Sequence, residues 1–407
     1  MKRSDTMADE SVVAATKVRN LSPDEAYEAS EVSCHYEEAK QLLNEGKFEE
    51  ALASIESGIK AVKDAMPGAA MAPFHYLYGT TLLYQLEEST DVDVTVATET
   101  SDENADDMQI AWENLEAARI LVEAALSHVL KDATKSCTKT KLELDLAQIA
   151  LRSADLQRMN GRYSEAIEDY QTCLDLRKLH LDEYDRKIAD CFYNIALSNL
   201  LACTELQKEA TESKNSAEGT SREDRAREHR EAGIELYLDC AKTLCGEIAF
   251  LCGKQPSDIL NGPEFKTSTE EETTTASQKS ETLRRWRMAV SSASPSMQGD
   301  QNLVDLIQML DEIQETIDEA EKSQDAIRQA SMLKQQARDD VANGKAGADN
   351  GQTSAIGFDK PTAAIATKDV DVAGESAKSI MVVRKKKKRK RVEDSEPIAE
   401  GKKPKVE

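Results

Sequence analysis

Gly46-Lys47-Phe48-Glu49-Glu50-Ala51-Leu52 and Gly161-Arg162-Tyr163-Ser164-Glu165-Ala166-Ile167 share one order of residue types: glycine, base, aromatic, any residue, glutamate, alanine, aliphatic. An internal repeat of this kind says more about architecture than any single motif. The glycine permits the left-handed turn that stops one helix. The aromatic fills the wedge before the next helix, and the alanine lets that helix approach its neighbour closely. The flanks agree, because Ala39 precedes Gly46 by seven residues as Ala154 precedes Gly161, and Ile55 and Tyr170 each follow the helix alanine by four.

Working outward, Ser22-Pro23-Asp24-Glu25 is a helix start, with serine as cap, proline in the first turn and glutamate closing a capping box. Helical patterning then runs to Glu45, which completes a hairpin over 22–66. A second hairpin spans 73–127, with Tyr78-Gly79 and Leu82-Leu83 on its first helix and Ala111, Leu115 and Ala118 on its second. The third covers 141–180. The fourth covers 187–252, with Phe192, Ile195 and Ala196 facing Ala232 and Leu236 across a charged insertion at 205–229. The expectation is an all-α fold of four tetratricopeptide (TPR) helical hairpins.

Residues 1–21 and the Ser-, Thr-, Glu- and Gln-rich stretch 253–300 are expected to lack fixed structure. Arg284-Arg285-Trp286-Arg287 inside that stretch reads as a locally docked tryptophan. A helix over 302–338 then carries Leu303, Leu306, Leu310, Ile313, Ile317, Ala320 and Ile327 at three- and four-residue spacing, with polar Gln324 at one core position. Such a stripe serves either as the coiled-coil seam of a homodimer or as a cap on the last hairpin, and the need to cover an exposed apolar face favours the cap. Residues 339–383 form a linker.

The 407 residues hold 76 acids against 52 bases, and the tail 384–407 takes 11 of the bases and 5 of the acids. The remaining body carries 41 bases against 71 acids, which disfavours direct nucleic-acid binding and suits a basic protein partner. The acids concentrate at 87–107, where Glu87, Glu88, Asp91, Asp93, Glu99, Asp102, Glu103, Asp106 and Asp107 occur without a single lysine or arginine. Self-repulsion predicts a mobile acidic loop that interrupts the second hairpin. In the tail, Arg384, Lys385, Lys386, Lys387, Lys388, Arg389, Lys390 and Arg391 precede Lys402, Lys403 and Lys405 by ten residues. That separation matches a bipartite nuclear-import signal, read by an import receptor.

No run is long and apolar enough for a membrane span, and Met1 to Asn20 has no secretory character. The eight cysteines lack zinc spacing and read as reduced, mostly buried thiols. No phosphate loop, dinucleotide fingerprint, His-Glu-x-x-His or nucleophile elbow occurs, and the five histidines read as packing or surface residues. Neither enzymatic activity nor a cofactor or metal is expected.

The interrupted second hairpin, the helix from Met108 to Arg119 (MQIAWENLEAAR) and Glu165-Ala166-Ile167-Glu168-Asp169-Tyr170 together resemble the nuclear autoantigenic sperm protein family, the SHNi-TPR histone chaperones. The likeness continues through Ala189-Asp190-Cys191-Phe192-Tyr193, Glu247-Ile248-Ala249-Phe250-Leu251 and Asn302 to Gln324. The resemblance implies a nuclear carrier, with a cytoplasmic pool, that binds histone H3 alone or with H4 for transport, storage and chromatin assembly. Some members also bind linker histone, and the shortness of the acidic insert here argues against that. It further implies a groove lined by the first helix of each hairpin, where Asp155, Asp190, Tyr193 and Leu197 would meet an H3 segment while the acidic loop screens other basic surface. The alternative is a generic TPR scaffold or co-chaperone adaptor clasping an acidic peptide, which needs a basic groove; these faces offer only Lys40 and Arg158.

Overall fold

The computed structural model describes residues 21–31, 33–63, 68–92, 101–131, 134–212, 217–261, 276–293 and 300–342. All belong to the first of two compact units, residues 1–353, and the basic tail lies outside the described residues. The order is α1 (Pro23–Glu31), α2 (Cys34–Asn44), α3 (Phe48–Lys63), a 3-10 turn (Gly68–Met71), α4 (Ala72–Val92), α5 (Ser101–Val129), α6 (Ser136–Met159), α7 (Tyr163–His180), α8 (Arg186–Glu212), α9 (Ala217–Leu251), α10 (Pro256–Leu260), α11 (Ala276–Ala293) and α12 (Gln301–Ala342). No strand occurs among the described residues, so the fold is all-α.

The two copies of the opening motif form the same turn. Gly46 and Gly161 have φ of 75° and 72°. At each, the glycine N–H reaches the carbonyl three residues back (Leu43 and Arg158). The next N–H reaches five back, Lys47 to Leu42 and Arg162 to Gln157, both at 2.9 Å. This is the paired-bond C-cap that a left-handed glycine allows. Ala39, Ala51, Ala154 and Ala166 are fully buried, as are Ile55 and Tyr170. The next pair, α4 and α5, also approaches closely at a glycine: a Cβ on Gly79 would stand 2.7 Å from Leu115 Cγ and 2.9 Å from the Ala111 carbonyl.

Each helix from α2 onward packs on the next, so α2/α3, α4/α5, α6/α7 and α8/α9 stack in sequence. One core cluster joins Ala147, Leu151 and Ala154 of α6 with Tyr170 and Leu174 of α7 and Ile188 and Ile195 of α8. A larger one joins α8 and α9 to Ile259 and Leu260 of α10, Leu283 and Val290 of α11, and Leu303, Leu306, Leu310, Ile313 and Ile317 of α12. From Leu303 to Ile317 the α12 stripe is therefore buried inside the chain against α9, α10 and α11, while the side chains of Gln324 and Ile327 lie outside the described residues.

Several boundaries differ from expectation. The helix expected to run unbroken to Glu45 divides into α1 and α2, because Ser33 caps α2 by accepting from the Tyr36 N–H at 3.3 Å. Freed from that axis, α1 folds onto α5 and α6. Asp24 takes Lys135 Nζ at 2.5 Å and His128 Nδ1 at 2.8 Å, the Tyr27 hydroxyl donates to Asp145 at 3.0 Å, and Lys141 pairs with Glu31 at 2.6 Å. The insertion 205–229 is mostly helical, since α8 runs to Glu212 and α9 starts at Ala217. Ala210 and Ala226 are buried there, and Arg222 pairs with Glu209 at 3.2 Å.

The stretch 253–300, expected to lack structure, contains α10 and α11. Leu283, Trp286 and Val290 recur at helical spacing among polar residues that dilute the compositional signal. Trp286 docks as anticipated, with its indole N–H on the Leu260 carbonyl at 3.3 Å. Its flanking arginines pair with α12, Arg284 with Asp318 at 3.0 Å and Arg287 with Asp311.

Candidate functional site

The first helices of the third and fourth pairs, α6 and α8, carry the four residues expected to face a ligand, and the structure separates them into two groups. Asp155 of α6 is 3% exposed. Its carboxylate accepts from the Tyr170 hydroxyl at 2.6 Å and from Arg152 Nη1 at 2.9 Å, while Arg158 Nη2 lies 3.5 Å away. Arg152 also donates to the Tyr84 hydroxyl at 2.5 Å and stacks 5.0 Å from that ring. Asp155 thus ties α6 to α7 and, through Arg152, to α4. A carboxylate this enclosed is neutralised by its own guanidinium partners, so the expectation of an open acid at this position is corrected.

Asp190, Tyr193 and Leu197 follow one another at spacings of three and four on α8, all three half-buried, and so share one stripe along the helix. The Tyr193 ring stands edge-on to Tyr237 of α9, with centroids 5.5 Å apart and planes at 78°. Buried Ile195, on the opposite side of α8, holds the stripe's orientation by packing into the core shared with α6 and α7. Arg186 begins the stripe and is steered by α12, donating to Asn302 Oδ1 at 3.3 Å and to Met309 Sδ at 3.7 Å.

A further acid comes from α9. Burial pushes the Glu247 carboxyl pKa up, the Asp185 and Asp190 charges add to the rise, and Arg186 opposes it. Glu247 Oε2 is buried and has no hydrogen-bond partner among the described residues. The charges of Asp185, Asp190 and Arg186 all act on Glu247, so three carboxylates and one guanidinium share this neighbourhood, with negative charge in excess. Such an acidic group attracts a lysine, an arginine or backbone N–H groups. Periodicity along α8 finds Asp190 but not Glu247, whose place beside it depends on how α9 packs.

The acidic insertion is shorter than 87–107. Glu87, Glu88 and Asp91 lie in the last turns of α4, and Asp102, Glu103, Asp106 and Asp107 in the first turns of α5. Asp93 and Glu99 fall outside the described residues, as does the basic tail 384–407. Acids at the start of α5 are favoured by the helix dipole, whereas those ending α4 are disfavoured until a cation meets them. Glu87 also faces inward, close enough to Tyr84 and Arg158 for its charge to act on both. Among the described residues no helix is long and apolar enough to cross a membrane.

No family model matches the chain. Curated relatives do. The chain is 29% identical over 96 residues to histone-binding protein N1/N2 of Xenopus laevis, covering 24% of this chain and 14% of that protein. It is 35% identical over 91 residues to protein HGV2 of Halocynthia roretzi, covering 22% and 16%, and 26% identical over 100 residues to the human nuclear autoantigenic sperm protein, covering 25% and 11%. The curated relatives are the nuclear autoantigenic sperm protein family. The match spans about a quarter of this chain and 16% or less of the length of these relatives. One relative is named for binding histones, and another for its place in the nucleus.

Proposed function

We propose that this chain is a nuclear histone chaperone that works by binding rather than turnover, holding a segment of histone H3, alone or with H4, for transport and chromatin assembly. The observation that carries the reading is the acidic group of Asp185, Asp190 and half-buried Glu247, whose charges act on one another where α8 begins the stripe that continues through Tyr193 and Leu197. It joins excess negative charge to aromatic and aliphatic surface, the complement of a basic amphipathic segment. The relationship to a named histone-binding protein supports the choice of partner. In this reading the four stacked pairs are the TPR motifs, Asp155 acts by fixing α6 rather than by touching ligand, and the acids ending α4 and opening α5 screen remaining basic surface. The tail engages an import receptor. An acidic site is the wrong sign for a co-chaperone adaptor that clasps acidic peptides.

The test is a pulldown with purified H3 and H4, comparing the full chain with Asp190→Lys combined with Tyr193→Ala and, separately, with Glu247→Gln. Reduced H3 recovery by these variants, with circular dichroism unchanged, supports the site. Equal recovery removes the site assignment, and no recovery by the wild type removes the histone reading. Raising salt weakens contacts to exposed acids more than a desolvated contact at this site.

A further inference from the structure

Cys173 on α7 and Cys191 on α8 have no exposed surface, and their sulfurs stand 3.4 Å apart. Arg177, one turn after Cys173 and itself 4% exposed, reaches into the same seam. Its guanidinium donates to the Lys187 carbonyl at 2.5 Å, to Gln148 Oε1 at 3.1 Å and to Cys191 Sγ at 3.3 Å. The first two acceptors are neutral. A buried guanidinium is costly unless an anion meets it, and the acceptor in its hydrogen-bonding shell able to become one is the Cys191 sulfur. The Asp155 and Asp190 carboxylates act on the two cysteines only as more distant charges.

We propose that Cys191 is a thiolate nucleophile and, with Cys173 as its resolving partner, an oxidative modification site that hydroperoxides convert to an α7–α8 disulfide. Arg177 donates to the Cys191 sulfur, which favours the anion there and places the proton of the pair on Cys173. Its bond to Cys191, together with burial, holds the Cys173 pKa far above the ordinary range. The same bond and the Arg177 charge hold Cys191 below it, against the effect of burial. Low thiol pKa beside a fixed cation is the common setting of reactive cysteines.

The Cys191 thiolate attacks one oxygen of a hydroperoxide, the O–O bond breaks, and the departing alkoxide or hydroxide takes a proton from solvent, leaving a sulfenic acid. Cys173 then attacks the Cys191 sulfur, its proton passes to the departing hydroxide, and water leaves as the S–S bond forms. The two cysteines lose two electrons and the hydroperoxide gains them. Because both sulfurs are enclosed, the oxidant enters when the α7–α8 seam opens locally, in a rapid equilibrium that scales the rate while attack by Cys191 limits it.

The other cysteines provide internal controls. Burial pushes Cys245 up to about 12 and Cys240 well above its ordinary range, while Cys34 and Cys137 are exposed and far apart in the sequence. Nothing in this chemistry depends on which partner the acidic site holds.

The experiment is millimolar hydrogen peroxide on the full chain, followed by alkylation of remaining thiols, proteolysis and mass spectrometry. The expected product is one intrachain crosslink between Cys173 and Cys191. In Cys173→Ser the reaction stops at a Cys191 sulfenic acid that dimedone traps, and Arg177→Gln slows oxidation at Cys191 about tenfold or more, whereas Arg177→Lys retains most of the rate. The assignment is overturned if the wild type oxidises only at Cys34 and Cys137, or if folded Cys173→Ser takes no label at Cys191. Circular dichroism on each variant separates loss of reactivity from loss of fold.

Discussion

Tyr170 donates its hydroxyl hydrogen to Asp155 across 2.6 Å in the fully buried seam between α6 and α7. The same oxygen accepts from Arg158 Nε at 3.1 Å, so the phenol relays between a carboxylate and a guanidinium. Tyr170→Phe keeps the ring in its cluster but leaves Asp155 short of one donor and Arg158 short of one acceptor. The expected loss is about 1 to 3 kcal/mol. Asp155→Ala removes the anion facing two arginines and costs on the order of 3 kcal/mol or more. Urea titrations of both variants give the comparison, and equal stabilities would mean that the hydroxyl is solvated rather than engaged.

The matched turns make a paired prediction. Gly46 and Gly161 lie at positive φ with open space where a Cβ would stand, so alanine at either meets backbone strain and nothing else. Each substitution should cost about 1 to 2 kcal/mol. Gly79→Ala, at ordinary φ, drives its Cβ against Leu115 and the Ala111 carbonyl, and should lower the melting temperature by more than either. If Gly79→Ala is the mildest of the three, α4 and α5 do not approach as closely as described.

Capping by α12 is tested by Leu306 and Ile313, both fully buried in the cluster shared with α9, α10 and α11. Leu306→Ala and Ile313→Ala should each cost about 2 to 5 kcal/mol while leaving the chain monomeric in light scattering. Were the stripe a dimer seam, the substitutions would instead shift the mass of the particle and make stability depend on protein concentration.

What the sequence made legible was whatever depends on neighbours along the chain. The turn chemistry of Gly46 and Gly161, the small helix-contact positions Ala51 and Ala166 and the α12 stripe from Leu303 to Ile317 are local signals, and the structure uses each of them. The break at Ser33 was not legible, because the apolar spacing of α1 continues that of α2. What turns α1 aside is Asp24 meeting His128 and Tyr27 meeting Asp145, each more than a hundred residues away. The charged stretch 205–229 failed for a related reason: cross-helix pairs such as Arg222 with Glu209 stabilise helices whose composition suggests a loop. At the candidate site, periodicity placed Asp155 and Asp190 on inward faces. It could not show that arginines enclose the first while Glu247 joins the second.

Glu247 links stability, pH and binding. Its folded-state carboxyl pKa is raised above the ordinary value of 4.5, chiefly by burial, with Asp185 and Asp190 adding. Between the unfolded and folded values the native state holds more protons than the unfolded one, so stability falls as pH rises through that interval and stays lowered above it. Glu247→Gln removes the charge while keeping the shape. The variant should melt higher than the wild type at neutral pH, and the difference should shrink as pH falls to the ordinary value of 4.5 and below. If the acidic site holds a basic segment, the same variant should bind it more weakly at neutral pH, since a cation that would offset the buried charge no longer finds it. Calorimetric melting across pH 4 to 8 and a binding titration with H3 and H4 at pH 7 together decide the matter. A lower melting temperature with unchanged binding would make Glu247 a structural acid.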